Sequence, residues 1–410
     1  MTSAQRLLAT LVLMSVVAVL LRALSRRGPL PYPVVLAAIG VAVGAIPGVP
    51  IRSIGSDAIL LGFVPGLVFQ ASLTLRLEAL RRVLAPVAAL ATAGVALTVA
   101  GITVVVHVAL GLSWADSTLL GAILAPTDPI AVVALLRRTH ANDELVAMLE
   151  GESLFNDGTG VAVFAAVIST LDSGSASAPG ALGSLALITF GGIAIGIAAG
   201  AVGVALLASI REAEPEILAT IAIAYGSYLL ADVAHVSGVV AVVTAGLVVA
   251  GSSRRFTSLH GTDLEEFWDV VAFVLNALLF LLIGAALPAR DVVGQAGPIL
   301  ATFGIMLAAR FVTVHVILGA LDPRARRFAV AWRTVAVWSG MRGALTVALA
   351  LVVSARTDVD HRVALLGYVA ALISLLLQGG TLPFLTRRHA GGERAPKISP
   401  GAPRSSRRNA

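Results

Sequence analysis

The sequence contains no cysteine, and it is poor in charged and aromatic residues. The absence of cysteine excludes disulfide bonds, thiolate metal sites and cysteine nucleophiles. Only 13% of the 410 residues are charged, whereas a soluble domain of this size carries roughly a quarter. Hydrophobic residues make up 58% of the chain, and the mean hydropathy is +0.94. This composition predicts an all-α polytopic membrane protein.

Thirteen apolar runs are long enough, or nearly long enough, to cross a bilayer as helices. They lie at about 6–24, 30–47, 57–75, 84–111, 117–137, 145–170, 180–208, 215–233, 237–252, 264–287, 296–320, 328–354 and 362–386. The first run could also be a signal peptide, but Ser25-Arg26-Arg27 follows it in place of a small-residue cleavage site. We therefore expect about 13 transmembrane helices, with the two chain termini on opposite sides of the membrane.

The positions of arginine and lysine predict the orientation, because cytoplasmic loops of membrane proteins are enriched in these residues. If the C-terminus is cytoplasmic, 20 of the 29 fall in inside segments and five in outside segments. This difference predicts a cell-membrane protein with its N-terminus outside and its C-terminus inside. The net charge of +6 then reflects topology and not a nucleic-acid partner. We expect a transmembrane domain over residues 1–388 and a disordered, basic cytoplasmic tail over residues 389–410.

A polar segment at residues 150–158 interrupts the sixth apolar run. A charged side chain near the bilayer centre costs on the order of 2.5–3.5 kcal/mol, so the segment is expected to bind or move a polar species. In a helix, Glu152 and Asn156 share one face, and Ser153 and Asp157 share the adjacent one. Such oxygen donors suit hard monovalent cations, and a desolvated carboxylate also accepts protons.

Two other runs predict broken helices. The fifth contains Pro126-Thr127-Asp128-Pro129, whose prolines remove backbone donors and should unwind the helix. The free carbonyls could coordinate a cation, and Asp128 could neutralise the positive end of the following half-helix. The alternative is a proline kink with a capping aspartate. In the twelfth run Gly340 and Gly343 suggest a second break, and the two positions fit inverted repeats formed by helices 1–6 and 8–13.

Two arginines lie deep within apolar runs and require partners, because a guanidinium keeps its charge. For Arg342 the expected partners are Glu152 and Asn156, which would fasten the sixth helix structurally. Arg310 requires a counter-charge or backbone carbonyls. Asn276 is expected to form a hydrogen bond between helices and not to bind a ligand.

These features together resemble the monovalent cation:proton antiporter family, of the sodium/proton exchanger type. The motifs that carry the resemblance are Ala125-Pro-Thr-Asp-Pro129, Glu152-Ser-Leu-Phe-Asn-Asp-Gly158, Gly340-Met-Arg-Gly343 and Phe280-Leu-Leu-Ile-Gly284. The resemblance implies a transporter that is not an enzyme, needs no cofactor and forms a homodimer in the lipid bilayer. It also implies a mobile core of helices at about 84–170 and 296–386, and a dimerisation scaffold at about 6–75 and 180–287.

The resemblance further implies a site for Na⁺ or another monovalent cation at Asp157, Ser153, Glu152 and the backbone carbonyl of Thr127. Asp157 would hold the cation and the proton alternately, and Asp128 would compensate helix dipoles.

The pair Asn156-Asp157, in place of two adjacent aspartates, is the version associated with electroneutral exchange. One departure from the family pattern is Gln70, which stands where relatives often have an acidic residue.

The function expected from the sequence is therefore exchange of Na⁺ for H⁺ in pH and sodium homeostasis. A K⁺/H⁺ antiporter of the same fold is the first alternative. A cation channel would need a continuous polar pore, whereas the polar residues here cluster at one depth. An intramembrane hydrolase would need a dyad of Asp128 and Asp157, or a histidine beside Ser153, and the sequence shows no such pairing of serine and histidine.

Overall fold

The computed structural model describes residues 32–44, 60–138, 141–173, 178–210, 212–252, 261–285, 292, 294–324, 328 and 330–389. The first predicted transmembrane helix and the tail beyond His389 lie outside the described residues.

Helices account for the regular structure throughout these ranges. In chain order they are α1 (Tyr32–Gly44), α2 (Val64–Thr74), α3 (Leu77–Arg82), α4 (Leu84–Leu110), α5 (Trp114–Ile123), α6 (Ile130–Arg138), α7 (Asp143–Ser173), α8 (Ala178–Leu207), α9 (Ala213–Val233), α10 (Gly238–Ser252), α11 (Gly261–Ala285), α12 (Ala296–Leu321), α13 (Val330–Trp338), α14 (Ala344–Ser354) and α15 (His361–His389). Helix α4 contains one π turn at Leu90–Gly94, which its sequence did not predict.

The apolar runs predict these helices well, because a chain in a bilayer satisfies its backbone hydrogen bonds within each helix. Each of the twelve runs after the first contains one helix or two half-helices. Seven helices within the described ranges are long and apolar enough to cross a membrane: α4, α7, α8, α9, α11, α12 and α15. Shorter apolar helices and the two broken pairs supply the remaining runs.

Both predicted helix breaks are present. Residues 124–129 separate α5 from α6, and residues 339–343 separate α13 from α14. Pro126 and Pro129 cannot donate backbone hydrogen bonds and their rings clash with preceding carbonyls, which favours the observed break over a continuous helix. The fold class predicted from the sequence, a polytopic helical protein with discontinuous helices 5 and 12, is confirmed.

The helices pack in two groups. In the first, α8 and α2 lie against α10, and α1 lies against α11. Small residues permit the crossing of α1 and α11, since a Cβ atom on Gly40 would lie only 2.9 Å from the Cα atom of Gly284. In the second group, α4 packs on α5 and α12, and α14 packs on α15.

Helix α7 belongs to the second group and also faces the first. It packs on α8 and α10, and a Cβ atom on Gly158 would lie 2.8 Å from the Val240 side chain of α10. A second contact between the two groups is the hydrogen bond that the Tyr368 hydroxyl of α15 donates to the Ile283 carbonyl of α11. The polar segment of α7 therefore lies where the two groups of helices meet.

Candidate functional site: two crossed helix breaks and helix α7

The two breaks contact each other directly. The backbone N–H of Asp128 donates to the carbonyl of Met341 over 2.7 Å. The Asp128 carboxylate lies so close to Gly343 that a Cβ atom there would be 2.6 Å from Asp128 Cγ. Only glycine fits at this point, so Gly343 permits the crossing as well as the break.

Asp128 lies at the start of the half-helix α6. Its Oδ1 atom accepts a 3.0 Å hydrogen bond from the backbone N–H of Ile130. A carboxylate at this position interacts favourably with the positive end of the helix dipole. This position agrees with compensation of the helix dipole by Asp128, which stays a prediction.

Helix α7 is fastened to the first break through Thr127. Ser153 Oγ donates to the Thr127 carbonyl over 2.6 Å, and Asn156 Nδ2 donates to Thr127 Oγ1 over 2.7 Å. The Thr127 N–H donates in return to Asn156 Oδ1 over 3.3 Å. The absence of a side chain at Gly160 lets Pro126 approach, because a Cβ atom there would lie 2.6 Å from the proline ring. Asn156 therefore binds the break and not Arg342, which corrects the sequence prediction.

Asp157 lies next to this junction. Its Oδ1 atom is buried and has no hydrogen-bond partner among the described residues, although the residue as a whole keeps some exposed surface. Asp128 and Arg342 both lie within electrostatic range of its carboxylate. An unpartnered buried carboxylate oxygen is costly, so a bound proton or cation would supply what the protein does not.

Glu152 pairs with Arg310 of α12, and the predicted tie between Glu152 and Arg342 is wrong. Arg310 donates to both carboxylate oxygens of Glu152, with 2.9 Å between Nη2 and Oε2. It also donates to the Ala336 carbonyl over 2.8 Å from Nη2 and 3.2 Å from Nε. The Arg310 side chain is 6% exposed and the Glu152 side chain is 2% exposed. Gly340 makes room for this arginine, since a Cβ atom there would lie 2.7 Å from Arg310 Nε.

Arg342 contacts the first break instead. Its Nη1 atom donates to the Pro126 carbonyl over 3.2 Å, and the Ala125 carbonyl lies 3.5 Å away. Its Nε and Nη2 atoms are buried without a hydrogen-bond partner among the described residues. Arg342 does not pair with Glu152 because the break that carries Arg342 crosses the other break, whereas α12 brings Arg310 beside Glu152.

The structure therefore divides the predicted site residues. It brings together Asp157, Ser153, Thr127, Asp128 and Asn156 at one junction. Glu152 is adjacent, but Arg310 occupies both of its oxygens, so the geometry does not favour its predicted part as a cation ligand.

Other polar positions behave differently from the predictions. Asn276 Oδ1 is buried without a partner among the described residues, so the hydrogen bond expected there for this atom is absent. Gln70 Nε2 donates to Asp269 of α11 over 3.0 Å, so a carboxylate lies beside the position at which the family resemblance led us to expect an acidic residue. Sequence reasoning missed the Ala336 and Met341 carbonyls, which no side-chain pattern marks.

A sequence profile described as "Sodium/hydrogen exchanger, transmembrane" matches residues 12–388. The chain belongs to the sodium/hydrogen exchanger family. Two of its relatives in this family are bacterial. The Na⁺/H⁺ antiporter NhaP of Pseudomonas aeruginosa is 33% identical over 354 residues, covering 82% of each chain. The Na⁺/H⁺ antiporter ApNhaP of Aphanothece halophytica is 32% identical over 361 residues, covering 86% of this chain and 68% of the relative.

A solved exchanger shares the fold. The sodium proton antiporter MjNhaP1 from Methanocaldococcus jannaschii at pH 8 superposes with a TM-score of 0.79 at 20% sequence identity. The match covers 94% of this chain and all of that one. The polytopic helical fold is therefore shared with a solved sodium proton antiporter.

Proposed function

We propose that the protein exchanges Na⁺ for H⁺ across the cell membrane by competition at Asp157. The observation that carries the proposal is the buried Oδ1 atom of Asp157, which lacks a partner among the described residues. A proton and a cation can each satisfy this oxygen, and one carboxylate cannot hold both. Competition of this kind couples the two fluxes without a separate gate.

The residues around Asp157 suit a small monovalent cation. Ser153 Oγ and the Thr127 carbonyl lie at the same junction, 2.6 Å apart. Hydroxyl and carbonyl oxygens can replace water around such an ion, and an unwound helix at mid-membrane is a common place for them. The relatives named as Na⁺/H⁺ antiporters support Na⁺ as the cation.

Charge balance supports electroneutral, one-for-one exchange. Glu152 is neutralised by Arg310, and Asn156 beside Asp157 carries no charge. Asp128 and Arg342 carry opposite charges within electrostatic range, so Asp157 is then the carboxylate whose charge must be balanced by either substrate in turn. Two adjacent aspartates would instead offer a second titrating carboxylate.

Alternating access would move the second group of helices, α4–α7 and α12–α15, against the first. Helices α1, α2 and α8–α11 would form the scaffold, and a homodimer would join through it. The distribution of basic residues supports an N-terminus outside and a cytoplasmic C-terminus.

Everted membrane vesicles test the proposal. Addition of Na⁺ to vesicles that hold a pH gradient should collapse the gradient for the wild type and not for Asp157→Asn, because an amide cannot exchange a proton for a cation. Asp172→Asn is the matched control, since it makes the same substitution at the far end of α7 on a residue that is 57% exposed. Retained exchange in Asp157→Asn, with normal expression of both variants, would refute the assignment.

The same vesicles identify the cation. Na⁺, Li⁺ and K⁺ should be compared between about pH 6 and pH 9, since a competing carboxylate makes the apparent affinity for the cation rise as protons become scarce. Collapse by K⁺ alone would make the protein a K⁺/H⁺ antiporter of the same fold.

A further inference from the structure

Glu150 lies on the same face of α7 as the exchange carboxylate. Seven residues separate Glu150 from Asp157, which corresponds to about 10 Å along a helix and a rotation of only about 20°. Ser153 lies between them at helical spacing on this face. Helix α7 is continuous from Asp143 to Ser173, so nothing in the backbone disturbs this alignment. We call the set of Glu150, Ser153 and Asp157 the α7 stripe.

The stripe leads towards the end of α7 that the charge distribution assigns to the cytoplasm. Asp143 precedes Glu150 by another seven residues and its side chain is 68% exposed. The Glu150 side chain is 19% exposed, and Asp157 Oδ1 is buried. Exposure of the side chain therefore falls from Asp143 to Glu150, and one carboxylate oxygen of Asp157 is fully buried at the exchange site.

Glu150 has an arginine partner that can be displaced. Its Oε1 atom lies 2.5 Å from Arg137 Nη2 at the end of α6. The Arg137 side chain is 49% exposed, so solvent can take over its charge. Glu152 lies between Glu150 and Asp157 in the sequence, but its carboxylate is held by a buried arginine and is not available in this way.

We infer that Glu150 is a relay carboxylate, which receives the cation from the cytoplasm and passes it along the α7 stripe to Asp157, with Arg137 as its exchangeable counter-ion. The inference rests on the proposed exchange function and assigns a residue to it. A cation that enters from the cytoplasm displaces the Arg137 guanidinium, which turns to solvent. When the cation moves on to Asp157, Arg137 returns and neutralises Glu150. No covalent bond is made or broken in these steps.

A purely structural tie between Glu150 and Arg137 is the competing explanation. Thr127 already fastens the break at the start of α6 to α7. In this explanation the ion pair of Glu150 with Arg137 fastens the other end of α6 to α7. The two explanations differ in what single substitutions do. A structural tie is lost equally when Glu150 or Arg137 is removed. A relay loses its carboxylate when Glu150 is removed, but loses only the guanidinium that competes with the cation when Arg137 is removed.

Sided transport measurements separate these explanations. In everted vesicles, where Na⁺ meets the cytoplasmic face, Glu150→Gln should raise the KM for Na⁺ on the order of tenfold, since a carboxylate raises the local concentration of cations. The maximal rate should change little. Arg137→Gln should lower the KM, because the Arg137 guanidinium then no longer competes with the cation for the relay carboxylate. In right-side-out vesicles, where Na⁺ enters from the other face, Glu150→Gln should leave the KM unchanged.

Two further variants complete the test. Glu144→Gln removes the same charge from the same helix end, where Glu144 lies 3.7 Å from Arg82, but thirteen residues place it on the face opposite Asp157. It should leave the KM as in the wild type. The exchanged pair Glu150→Arg with Arg137→Glu keeps the ion pair but takes the carboxylate off the stripe, so the KM should stay high.

The inference is overturned if Glu150→Gln leaves the KM at the cytoplasmic face unchanged, if Glu150→Gln and Arg137→Gln shift it in the same direction, or if the exchanged pair restores it. Wild-type vesicles without any cation-driven proton flux would instead remove the proposed function itself.

Discussion

The buried pair of Glu152 and Arg310 leads to an asymmetric prediction. Glu152→Gln removes the carboxylate and leaves two buried arginines, because Arg342 lies within electrostatic range of Arg310 and Glu152. Arg310→Gln removes one of the two arginines and leaves Glu152 with Arg342 nearby. Arg342 has two nitrogen atoms without a hydrogen-bond partner among the described residues, so it can turn to the carboxylate.

The magnitudes follow from burial. Removal of one partner from a buried ion pair costs about 3–5 kcal/mol, because the other charge is left uncompensated. We expect Glu152→Gln to reach the upper end of this range, since the Arg310 and Arg342 charges then repel each other without screening by water. Arg310→Gln should cost less, about 1–3 kcal/mol, because Arg342 compensates Glu152 and one hydrogen bond to the Ala336 carbonyl can persist through the glutamine amide.

The assay is unfolding of the purified protein in mixed detergent micelles, followed by tryptophan fluorescence. The double variant Glu152→Gln with Arg310→Gln should be more stable than Glu152→Gln alone, because the second substitution removes the repelling charge. Arg76→Gln is the control. The side chains of Arg76 and its partner Asp143 are 66% and 68% exposed, and such exposed pairs contribute about 0–1 kcal/mol. Equal loss in both single variants, or a double variant no better than Glu152→Gln, would show that Arg342 does not respond to the pair.

Two more predictions concern the crossing of the breaks and the loop between α14 and α15. Gly343→Ala should lower stability by about 1–3 kcal/mol and abolish vesicle exchange, because its methyl group would collide with the Asp128 carboxylate. Gly304→Ala, whose Cβ atom would have no neighbour within 4 Å, should preserve both, and an active Gly343→Ala would show that the crossing can open. In the loop, the hydrogen bond from Arg362 holds the pKa of Asp360 below its usual value, so its stabilising contribution is present above about pH 4 and is lost as the pH falls through the lowered value. Asp360→Asn should accordingly unfold at a lower temperature than the wild type near neutral pH and at the same temperature in acid. A constant difference in unfolding temperature at all pH values would contradict the assigned cause.

The sequence by itself determined the positions of the described helices other than α3, and of the two breaks. Apolar runs of membrane length can only be helices, and closely spaced prolines or glycines interrupt them for local reasons. Asp157, Ser153 and Thr127 could also be picked out as candidate site residues, because polar groups in such runs are too costly to be incidental.

The tertiary structure decided which charges meet. Glu152 could have paired with either buried arginine, since both are a long way from it in sequence and both carry the same charge. The crossing of the breaks turns Arg342 towards the Pro126 carbonyl, and the space at Gly340 admits Arg310 beside Glu152. Pairings of this kind depend on how helices cross, and no local pattern in the chain records that geometry.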